Sequence, residues 1–67
     1  MAQLTFTELN YNIARNNRDI ESDINELIKL LSDFDDNVVK IKNLLLDIRM
    51  LKKINKVMEA DLKNGNY

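Results

Sequence analysis

The chain has 67 residues, 45% of them hydrophobic and 31% charged, and a formal net charge of −1. Cysteine, histidine, proline and tryptophan are all absent, which excludes a disulfide-stapled scaffold, a thiol nucleophile and imidazole chemistry. A chain this short buries only about 60% of its unfolded surface, so a single domain, residues 1–67, should share apolar surface with another chain.

The start, "MAQLTFTELN", lacks a basic region followed by an apolar run and does not read as a secretory signal. It carries a helix start instead. Thr5 is placed as N-cap with Glu8 three residues later as a capping box, and Leu4 and Leu9 hold the two positions of a hydrophobic staple. The matching stop is Lys63 in a last turn, then Asn64 and the only glycine, Gly65. Between these signals no glycine or proline interrupts the chain.

With Ile24 at heptad position a, the d positions are Phe6, Ile13, Ile20, Leu27, Phe34, Ile41, Ile48, Asn55 and Leu62. The a positions are Asn10, Asn17, Ile24, Leu31, Val38, Leu45, Lys52 and Glu59. Every a and d position from Ile20 to Ile48 is apolar, the pattern of helices that associate. Asn10 and Asn17 at successive a positions are expected to set register. After Ile48 the seam falters, with Leu51, Ile54 and Met58 replacing it in the manner of a stutter.

At "SDFDDN", residues 32–37, two architectures diverge. Leu31, Phe34 and Val38 keep the seam in phase and no helix breaker is present, so the spacing predicts one long, essentially continuous coiled-coil helix over about residues 6–63. That rod would be roughly 87 Å long. The alternative is an αα-hairpin turning at 32–37 and assembling into a bundle, with Asp35 as N-cap and the aspartates at the positive end of a second helix. Charge suits an antiparallel arrangement. Residues 1–34 carry six acidic and three basic side chains, whereas residues 35–67 carry five acidic and seven basic.

The second half is apolar on two sides. Val39, Leu46, Met50 and Val57 lie almost opposite the seam, and Leu44, Leu51 and Met58 at g widen it. A helix apolar on both sides is normally covered on both. The expected partner or oligomer interface is therefore Ile13, Ile20, Ile24, Leu27, Leu31, Phe34, Val38, Ile41, Leu45, Ile48, Leu51 and Met58. Val39, Leu46, Met50 and Val57 form a second one. Residues 10–23, polar around a narrow stripe, should be more exposed.

Other chemistry is poorly supported. Asp33, Asp35 and Asn37 match the first positions of a calcium loop, but Val38 stands where its glycine belongs and Leu44 where its bidentate glutamate belongs. Lys52, Lys53 and Lys56 lack the arginines and stacking aromatics of a nucleic-acid reader. No acid, base or nucleophile constellation of an enzyme is present, and no metal or cofactor is expected. The longest apolar run, Leu44 to Leu46, cannot span a bilayer.

Ten asparagines, seven isoleucines and seven lysines against three arginines suit an AT-rich genome such as many phages have, and a cytoplasmic or virion location. The reading is a non-enzymatic all-α interaction protein, a structural or assembly subunit whose partner is protein: itself, a different subunit, or both. The alternative is a small phage- or plasmid-like regulator that docks an apolar helix face on a partner protein.

Overall fold

A computed structural model describes residues 4–67; residues 1–3 of the expected single domain lie outside the described residues. The protein is all-α. Helix α1 spans Phe6–Leu30, a 3₁₀ turn spans Leu31–Asp33, and helix α2 spans Phe34–Asn64. Helical backbone is thus essentially unbroken over the predicted range, but its direction is not. The described chain measures 45 × 18 × 16 Å, half the roughly 87 Å of a straight helix. Side chains 39 residues apart are hydrogen-bonded. Of the two expected architectures, the αα-hairpin is the one formed, and the straight rod is corrected accordingly.

Both outer ends follow the local signals. The Thr5 hydroxyl accepts from the Glu8 backbone N–H at 3.2 Å, and the Glu8 carboxylate accepts from the Thr5 N–H at 3.2 Å. This capping box satisfies two donors that a helix start leaves free. At the far end Gly65 takes a left-handed conformation, φ 71° and ψ 26°, which costs other residues a Cβ clash. The Asn66 N–H then donates to the Asp61 carbonyl at 2.8 Å. The rings of Phe6 and Tyr67 lie 5.5 Å apart, tilted by 57°, and join the open end of the hairpin.

The reversal uses neither glycine nor proline. Asp33 leaves helical geometry there, with φ −129° and ψ 58°, and its φ stays negative, so no glycine is required. The last carbonyls of α1 are satisfied from the turn and from α2. The Ser32 hydroxyl donates to Lys29 O at 2.9 Å, and the Asn37 amide donates to Leu30 O at 3.2 Å. Asp35 and Asp36 fall in the first turn of α2, where the helix dipole favours negative charge. The N-cap position is Asp33, without a side-chain bond, rather than Asp35.

Candidate interaction surfaces

The helices meet along two heptad rows, but not the expected a and d. In α1 the buried or half-buried side chains Leu9, Ile13, Asn16, Ile20, Asp23, Leu27 and Leu30 are spaced four and three residues apart, with Asn12 half-buried beside them. In α2 they include Asn37, Ile41, Leu44, Ile48, Leu51, Asn55, Met58 and Leu62, with the same spacing. Both sets are d and g of the frame that puts Ile24 at a. The g row therefore belongs to the seam, and Leu51 and Met58 continue it in phase. The expected stutter does not exist. Ile54, assigned to it, is exposed.

Among the described residues, Leu9, Ile20, Ile41 and Met58 are the apolar side chains that are buried. A two-helix pair offers each side chain one neighbouring helix, so most seam residues stay partly wet. Residues 10–23 are less exposed than expected, because Asn16 and Ile20 are among the most covered residues of the chain.

Two polar layers cross this seam. In the first, Asn16 Nδ2 donates to Asn55 Oδ1 at 3.0 Å, and Asn55 Nδ2 donates to Asn17 Oδ1 at 2.8 Å and to Ile13 O at 3.5 Å. Asn16 and Asn55 are buried, and these bonds offset their desolvation. They, with Asn17, supply the register contact expected of Asn10 and Asn17. Asn10 is exposed and donates to Phe6 O in its own helix at 3.0 Å. The signal for Asn16 was its g position, in the row 9, 16, 23, 30.

The second layer is acidic. Asp23 of α1 meets Asp47 of α2, and Asp23 Oδ2 is buried without a donor. Two ionised carboxylates can only accept, so neither satisfies the other. A proton on Asp23 turns the contact into a hydrogen bond. That bond, then burial, then repulsion from Asp47 and Asp19, raises the Asp23 pKa from 3.8 to about 6. Beside it a groove is lined by Glu26, Leu30, Lys40, Asn43, Leu44 and Asp47. Among the described residues no group of three or more acidic side chains is placed to hold a metal ion.

The expected interface residues divide accordingly. Ile13, Ile20, Leu27, Ile41, Ile48, Leu51 and Met58 lie in the hairpin's own seam, while Ile24, Leu31, Phe34, Val38 and Leu45 are exposed. In an antiparallel pair built on d and g, the a rows of both helices flank the seam on the same side. The exposed a-row residues therefore line one edge of the hairpin, nearer the turn. Val39, Leu46, Met50 and Val57 are exposed as well, on the face of α2 turned away from α1.

The fold defines an antiparallel helical hairpin with two apolar surfaces uncovered. Among the described residues no helix is long and apolar enough to cross a membrane. Comparison with protein-family models, with curated proteins and with solved structures finds no match to this chain.

Proposed function

We propose that the protein is a helical interaction module, a small structural or assembly subunit that acts by sharing its apolar surface with other chains and performs no catalysis. The observation that carries this reading is uncovered area. The hairpin exposes 5366 Å², whereas a folded monomer of 7.9 kDa should expose about 4,400 Å². That excess belongs to an elongated pair of helices, 45 × 18 × 16 Å, on which Leu31, Phe34, Leu45, Leu46 and Met50 stand 49–53% exposed. Two separate apolar surfaces favour a subunit that touches more than one neighbour over a regulator that docks by a single face.

Light scattering and circular dichroism across a dilution series test the reading. The mass should exceed one chain at high concentration, and the melting temperature should rise with concentration. Two substitutions separate hairpin from assembly. Ile41, 5% exposed, belongs to the hairpin, and Ile41→Ala should cost about 2–5 kcal/mol. Leu31, 49% exposed, does not, and Leu31→Ala should leave the stability of a dilute chain within about 0.5 kcal/mol. A monomer with a concentration-independent melt would refute the proposal.

A further inference from the structure

Resting on that assembly reading, we infer that the outer face of α2 binds the same face of a second copy, with the two α2 helices parallel and in register. The face is a seam in its own right. Val39, Asn43, Leu46, Met50, Lys53 and Val57 follow one another at spacings of four and three, as the core positions of a two-stranded coiled coil do. Its apolar members are 53–71% exposed, and α1 packs on the opposite side of the helix.

Charge selects the partner and its direction. One flank of this seam carries Asp35, Lys42, Arg49 and Lys56, and the other carries Lys40, Asp47, Ile54 and Asp61. In a parallel pair each residue of the first flank faces the residue five places further along in its neighbour. Asp35 then meets Lys40, Lys42 meets Asp47, and Lys56 meets Asp61 of the second copy. Arg49 meets the neutral Ile54, and no like charges face each other. In an antiparallel pair each flank faces itself. At the register that matches the apolar residues, Lys42 would face Lys56, Arg49 a second Arg49, and Asp47 a second Asp47.

Asn43 supports the same arrangement. A single asparagine at such a core position specifies strand number and register in parallel pairs. Lys53 also occupies a core position, where its stem covers apolar surface and its ammonium reaches water. The α1 helices sit outside the central pair, leaving the edge lined by Ile24, Leu31, Val38 and Leu45 open.

The chain has no cysteine, so single cysteines report the contact cleanly. Under mild oxidation Leu46→Cys should form a covalent dimer several-fold faster than Ser22→Cys on the outer face of α1, because parallel pairing sets residue 46 beside its copy. Lys56→Glu should weaken dimerisation roughly tenfold, since symmetry breaks two flanking pairs at once. Adding Asp61→Lys should restore it. Cross-linking through Arg49→Cys in place of Leu46→Cys would mean an antiparallel pair and overturn the inference. So would concentration-dependent association in which Leu46→Cys links no faster than Ser22→Cys, a result that leaves the assembly reading intact. A chain monomeric at every concentration would refute both.

Discussion

Asn16 donates its side-chain amide to the side-chain carbonyl of Asn55 at 3.0 Å, across a separation of 39 residues in the chain. Both side chains are buried, and Asn55 also reaches Asn17 and the carbonyl of Ile13. A leucine pair of similar size would bury more apolar surface, but it would hold any register that keeps apolar facing apolar. Directional bonds penalise a shifted seam by leaving amides unpaired.

Replacing one partner should therefore hurt more than replacing both. Asn55→Leu leaves the Asn16 amide buried without its acceptor and should cost about 1–3 kcal/mol in urea denaturation. The double variant Asn16→Leu/Asn55→Leu should recover most of that loss while broadening the distances between spin labels on the two helices. A double variant less stable than the single one would show that the pair does more than fix register.

The reversal at Leu31–Asp33 makes a sharp geometric prediction. Spin labels at Ser22 and Arg49 would be about 40 Å apart on a straight helix. Across the hairpin they should lie below about 25 Å, a separation set by an interaxial distance of about 8–10 Å plus the label arms. Labelled chains diluted with unlabelled ones isolate the distance within a chain. Proline provides a second check. Asp35 is the second residue of α2, where a helix start tolerates it, so Asp35→Pro should cost far less than the roughly 3 kcal/mol or more of Arg49→Pro in mid-helix.

The Asp23–Asp47 contact predicts a stability that rises on mild acidification. The folded Asp23 holds its proton up to about pH 6, against 3.8 for an ordinary aspartate. Between those values the folded state binds more protons than the unfolded one, so stability falls as pH rises. The contribution is complete below about pH 4, where the unfolded carboxyl is protonated too, and is lost above about pH 6. Melting temperatures should be higher at pH 5 than at pH 7.5. Asp23→Asn, which supplies a permanent donor to Asp47, should raise the pH 7.5 value and flatten the difference. An unchanged slope in that variant would show that other carboxylates control the profile.

The outer helix ends, the helical content and the heptad periodicity were legible in the residues because each depends on neighbours three or four positions apart. The Thr5–Glu8 capping box and the stop at Gly65 form where the sequence placed them, and the apolar surplus of α2 was visible as two stripes on one helix. Direction was not legible. The turn keeps negative φ throughout, so "SDFDDN" needs no glycine, and a seam in phase says which face is apolar but nothing about where the helix axis points. The choice among rows was also tertiary. Three rows, a, d and g, were apolar over much of the chain, and only the encounter of α1 with α2 paired d with g and left a outside. Asn16 and Asp23 read as ordinary polar residues until the second helix, with Asn55 39 residues downstream of Asn16, covered them, because desolvation is a property of the packed neighbour rather than of the local sequence.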